Sequence, residues 1–361
     1  MFTRLARHLS LAATLAIGAL CAAAVALPQA AQAAPKAPAV ITYTNLTLLH
    51  GWHSDTIDGS AKAAVADISG IVTFRGAMWA PPGSSDEPFV LPKAFRPANL
   101  VYIPVDLCSA NKGRLDIYPN GAVLIESEGT FTNATCFTLL DGASFAKSGT
   151  GFTSLTLLNG WHGYGGGTAN AAARLISGIV HFRGAISSGS NSRVLTLPKA
   201  LRPAKLAYIP VDLCNANNGR LEVWPTGAVY VDAEIRFSDA TCFTSLEGAS
   251  FALSGTGFTT LALKNGWHSY GSGTASAGAR LISGVVHFRG AIKTSGTNPF
   301  LFTLPKALRP AHKVWTPVDL CNANNGRLYI QPSGVVQVQE EGGTFKHASC
   351  FTSLDGAWFA R

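Results

Sequence analysis

Arginine, histidine and aromatic side chains recur at fixed places along this chain. They are the residues best suited to meet a polar ligand. Arg75, Arg183 and Arg289 hold one position in three copies of a motif, "GIVTFRGA", "GIVHFRGA" and "GVVHFRGA". His181 and His287 stand two residues before the second and third of them, and Thr73 takes that place in the first. A second set, Arg114, Arg220 and Arg327, opens a later hairpin. Tyr118 and Trp224 lie on the same nominal strand face, with Gln331 in the third copy. Aromatic rings offer an apolar platform and the guanidinium fork donates paired hydrogen bonds. An exposed face carrying both suits sugars or other polar surface polymers. The competing reading is cross-strand packing, or pairing of the arginines with Asp116 or Glu222.

Catalysis finds less support. Asp106, Asp212 and Asp319 recur in "PVDLC", and Asp141, Glu247 and Asp355 recur in a closing acidic turn. General acid–base chemistry needs a partner group at a suitable distance, and the pattern supplies none, so both sets read as turn and loop hydrogen bonding. His53, His162 and His268 of "GWH" read as surface or loop histidines. There is no "GxSxG" elbow or "HExxH" helix. "CNANNG" lacks the ligand positions of a calcium loop, and its Asn and Gly suit a tight turn. "YGGGTA" at Tyr164 precedes no clear helix, and its counterpart in the first copy is "SDTIDGSA". No cofactor and no metal site is expected, and the chain reads as non-enzymatic.

The elements that must position these residues come in triplicate. "GWH", the arginine motif, "LPKA[FL]RPA", "PVDLC" and a closing "CFT" follow one another three times with a period of about 106 residues. That is too long for a solenoid unit and suits a small domain with its own core. The expected organisation is β domains at residues 42–147, 148–254 and 255–361. Within each, apolar and polar residues alternate, as in Val180 and Phe182 against His181 and Arg183. "YPNG", "WPTG" and "QPSG" mark hairpin turns. The fold class is therefore all-β: three tandem antiparallel β-sandwich or jelly-roll domains of six to eight strands each.

Each domain carries two cysteines: Cys108 and Cys136, Cys214 and Cys242, Cys321 and Cys350. The repeat favours pairing within each unit, because every copy must fold with the pair it owns. Export fits such bridges. Residues 1–33 have a basic start (Arg4, Arg7), an apolar run and "AQA" at Ala31–Ala33, the pattern of a cleaved signal peptide. Residues 34–41 then read as an N-terminal linker, and a secreted, extracellular protein with no remaining membrane span is expected. Without Arg4 and Arg7, the 28 basic residues fall to 26 against 20 acids, leaving +6. The basic residues are scattered, which argues against nucleic acid as a partner.

Taken in order, "GW", "SGIVHFRGAI", "TLPKALRPA", the "GRLxIxPxGxV" hairpin and "CFTSLDGASF" resemble the small β domains at the receptor-binding tips of phage tail fibres and baseplate proteins. The resemblance spans all three units. It implies non-enzymatic β-sandwiches that bind cell-surface carbohydrate, often as trimers. A signal peptide and a cysteine pair per unit depart from that family, and a secreted protein built from the same module fits better. The resemblance also implies a monomer whose three fused units take a pseudo-threefold arrangement. The expected function is binding of a cell-surface or extracellular glycan, with repetition supplying avidity. The alternatives are a packing module of a surface or matrix assembly, and a hydrolase with an unrecognised acid pair.

Overall fold

The computed structural model describes residues 41–361, so the expected signal peptide and nearly all of the linker lie outside the described residues. Alternation along the hairpins builds three copies of one antiparallel β unit. In the second copy, Ala172–Ile176 and Ile179–Arg183 form a hairpin, flanked by Thr153–Ser154 and Ser250–Ala252 in a four-stranded sheet. A second four-stranded sheet runs in the order Arg193–Thr196, Ala228–Ala233, Asn218–Val223, Ala207–Asp212. Val180, Phe182 and Phe251 of the first sheet share one buried core with Ile209, Leu221 and Val231 of the second. That is the sandwich the alternation called for. Burying each such side chain contributes about 1.5–3 kcal/mol.

Each unit holds eleven strands rather than six to eight. The excess consists of two- and three-residue ladders such as His53–Ser54 and Ala77–Trp79, too short to carry a periodic pattern. The "WPTG" turn closes through Gly227 at φ +90°, a left-handed backbone that glycine adopts without strain. Three short helices, Phe131–Cys136, Phe237–Cys242 and Lys346–Cys350, each end on the second cysteine of a pair. At five or six residues they are too brief to show an apolar stripe. Disulfides join Cys108 to Cys136, Cys214 to Cys242 and Cys321 to Cys350. Each ties its helix to the three-residue turn after "PVDL". Loop closure of this length stabilises by roughly 3–4 kcal/mol in the chain-entropy account. Among the described residues, no helix is long and apolar enough to cross a membrane.

The units keep separate cores, yet they pack as one compact body. The strands Val101–Asp106, Ala207–Asp212 and Val314–Asp319 pack against one another in all three pairings, which places them around a common axis. The contacts between units run in a cycle. Arg114 Nη1 of the first reaches Asp212 Oδ2 of the second at 3.5 Å, and Arg220 Nη1 reaches Asp319 Oδ2 of the third at 3.5 Å. Arg327 Nη1 of the third returns to Asp106 Oδ2 of the first at 2.6 Å. Asn218 Nδ2 donates to the Ala323 carbonyl and Asn325 Nδ2 to the Ala110 carbonyl, both at 2.7 Å. In the first unit Lys112 takes that place and binds Asp212 Oδ1 at 2.7 Å. Backbone N–H groups of Leu100, Leu206 and Lys313 donate to Gly167, Gly273 and Gly59, again unit to unit.

The three aspartates are fully buried. Burial raises the Asp106 carboxyl to about 6 against the pull of Arg327, and raises Asp319 to about 8 where Arg220 stands farther off. Arg114 also holds Asp116 Oδ1 at 2.9 Å and Glu126 Oε2 at 2.6 Å, so it anchors three carboxylates. Arg114→Ala should therefore cost about 3 kcal/mol by stranding buried acids. Urea unfolding followed by tryptophan fluorescence checks this; a loss under 1 kcal/mol would show that the clasp contributes little.

Candidate functional site

The arginines singled out by sequence do not form an exposed face. Arg183 is 9% exposed, lies over the Phe152 ring and donates from Nη2 to Asn99 Oδ1 at 3.1 Å. Arg75 and Arg289 lie half-buried over Tyr43 and Phe258, at 4.4 and 5.6 Å from the ring centroids. Arg114, Arg220 and Arg327 are the clasps between units, and Arg114 and Arg220 also bind Asp116 and Glu222 in their own strands. Alternation correctly turned these side chains away from their own cores. Neighbouring units then cover Arg114, Arg220 and Arg327 and reach Arg183 through Asn99, while rings of their own units cover Arg75 and Arg289. Tyr118 is half-buried, while Trp224 remains 41% exposed and meets Tyr230 edge-on at 6.4 Å. The structure does not gather the candidates into one site.

The closing-turn acids are internal supports. Glu247 accepts the Gly184 N–H at 2.8 Å and the Ala146 N–H of the preceding unit at 3.2 Å, and Asp355 accepts the Gly290 N–H at 3.1 Å. Burial raises Asp141 to about 8 and both Glu247 and Asp355 to about 7. Among the described residues, no three His, Cys, Asp or Glu side chains are grouped to hold a metal.

His181 and His287 line a narrow cavity of about 40 Å³ where the three units meet, with Thr73 and Trp358 also in its wall. Burial, then Arg174 in the cross-strand position, lowers His181 to about 4. Burial, then His181 and Arg280, lowers His287 to about 3. Both rings are thus held neutral where the three units meet.

A true cleft holds one of the sequence candidates, Arg327, among residues the sequence patterns did not mark. Between the first and third units lies a cleft of about 440 Å³, lined by Trp79 and Phe137 on one side and Trp315 and Arg327 on the other, with Asp55 and Asp58 at its edge. Trp315 stacks on Tyr329 at 5.0 Å and meets Phe137 edge-on at 5.3 Å, which fixes the platform. Asp55 is 7% exposed, and burial, then the Asp58 carboxylate, raises its carboxyl above the usual range. At the two equivalent joints a tyrosine stands where the first unit has Asp55. Tyr164 packs edge-on to Phe243 at 4.7 Å and Tyr270 to Phe351 at 4.7 Å. Trp79 likewise replaces Ser187 and Lys293. The signal in the sequence was this local departure, "GWHSD" against "GWHGY" and "GWHSY", and the extra residue of "SDTIDGSA".

Compared with known proteins, the chain finds no match among protein families, curated proteins or solved structures. The fold and this cleft therefore carry the functional argument alone.

The axial histidines generate a pH prediction. They stay neutral in the folded protein down to about pH 4 and 3, whereas unfolded histidines take up protons near 6.5. Their contribution is intact above pH 6.5 and is lost as pH falls toward 4, at up to about 1.4 kcal/mol per pH unit for each. The raised carboxylates act in the opposite direction, equally in any histidine variant. His181→Thr/His287→Thr, copying Thr73, should gain stability over wild type as pH drops from 6.5 to 4.5. Denaturant midpoints that shift in parallel for both proteins would refute it.

Proposed function

We propose that this protein is an exported, non-catalytic binding protein for cell-surface or extracellular carbohydrate, and that it engages its ligand in the cleft between its first and third units. The observation that carries the reading is the cleft itself. Three aromatic rings, two carboxylates and a guanidinium converge on a volume that suits a small number of sugar residues. Ring faces take the apolar C–H face of a sugar, and carboxylates accept from its hydroxyls. The disulfides fit an oxidising compartment.

One observation favours a second reading. Asp55 and Asp58 are neighbouring carboxylates in an aromatic cleft, and Asp55 is shifted upward, which are also the furnishings of a glycoside hydrolase. Release of reducing ends from a bound oligosaccharide, lost in Asp55→Asn, distinguishes that reading from binding alone.

The protein supplies its own blocking mutation. Asp55→Tyr should set a ring against Phe137, as Tyr164 and Tyr270 lie against Phe243 and Phe351, and so fill the cleft with the fold intact. Retention on isolated cell-wall polysaccharides should fall at least tenfold, while Trp224→Ala keeps its binding. Undiminished retention by Asp55→Tyr would overturn the assignment, and loss in Trp224→Ala instead would move the site to the exposed hairpin.

A further inference from the structure

We propose that the cleft selects sugars bearing a free, protonated amine over neutral or N-acylated sugars. This rests on the carbohydrate reading above and names the ligand's charge.

At this joint Asp55 stands where the other two joints have Tyr164 and Tyr270. Removing the tyrosine found at the other two joints would have been enough to open space for a neutral ligand. Here the replacement is a carboxylate, and it is buried: Asp55 is 7% exposed. A buried carboxylate is costly unless a cation or hydrogen bonds answer it, and Asp55 has one such bond, from the Asp58 backbone N–H. Asp55 takes part in none of the ion pairs found among the described residues. Lys313 acts on it from a distance, and its pull is weaker than the opposing effect of Asp58. Asp58, on the same loop, adds a second and exposed carboxylate.

The remaining charge of the lining is already committed. Arg327 Nη1 binds Asp106 Oδ2 at 2.6 Å and the Leu107 carbonyl at 3.1 Å, and its Nε donates to Gln339 Oε1 at 2.6 Å. The guanidinium is held by the scaffold, so it offers little to an anionic ligand. With Arg327 paired to the buried Asp106, Asp55 and Asp58 outnumber the one nearby free cation among the described residues, Lys313, in a chain whose net charge is +8. The cleft is thus a negative spot on a basic protein.

The rings complete the preference. Trp79 and Trp315 line the cleft, and an indole ring attracts a cation when water is excluded, whereas Arg327 already lies over the Phe137 ring at 5.8 Å. Beside two carboxylates the two indoles form a receptor for an ammonium group attached to an apolar ring, which describes an amino sugar. An acylated amine carries no charge and would leave Asp55 with only the Asp58 backbone N–H.

Titration calorimetry on the purified, disulfide-intact chain tests this with a glucosamine tetramer and its fully N-acetylated counterpart at pH 6. The free-amine tetramer should bind at least tenfold tighter. That preference should vanish in Asp55→Asn/Asp58→Asn and shrink in 0.5 M salt. Equal affinities, both abolished by Asp55→Tyr, would overturn the amine inference and leave the carbohydrate reading standing. Failure of both tetramers to bind would overturn both readings. Choline binding as tightly as the tetramer would also overturn the proposal, by showing an ammonium site that takes no account of the sugar. Thermal midpoints of the variants separate lost binding from lost fold.

Discussion

Each unit ends its "PVDL" strand on an aspartate that has no exposure to water, and each aspartate is met by a cation from a neighbouring unit. That constraint organises the rest. A carboxylate buried at the axis is tolerable only if the next unit delivers its arginine, so the first unit depends on the third, the third on the second and the second on the first. The sandwiches have their own cores, but their axial faces are incomplete until the circle closes. The disulfides serve the same end, because each fixes the turn that follows the aspartate and so holds the carboxylate in place.

The three joints share this clasp and differ around it. The second joint relies on Arg220 and a tyrosine-filled contact, the first adds Lys112, and the third surrounds Arg327 with Trp315, Tyr329 and Gln339. The clasp at that third joint is also the shortest, at 2.6 Å. A firm scaffold contact and an open cleft therefore share one arginine there, with the charge spent inward and the aromatic surface left outward.

Much of the fold was legible in the sequence, for physical reasons that can be named. Period-two alternation in "GIVHFRGA" reports a strand with one buried face, and Val180 and Phe182 are indeed core residues. Cysteine spacing repeated three times reports a pair per unit, and glycine after proline reports a turn. Alternation says only that Arg183 and Arg220 point away from their own core; it carries no information about what covers the other side. Asp106 and Arg327 are 221 positions apart, and no local pattern links them. The cleft was hidden for a related reason. Its residues come from two units, and its mark was a failure of repetition, which attention to the shared motifs passes over.

The cleft also shows what joining three copies in one chain makes available. In an assembly of three identical chains, an aspartate at position 55 would appear at every joint, and all three tyrosine plugs would be lost together. Here a single gene encodes each joint separately. One joint holds Asp55 while Tyr164 and Tyr270 pack against Phe243 and Phe351 at the others. Fusion has released the ring from the rule that symmetric partners must change in step, so specialisation at one seam leaves the other two seams intact.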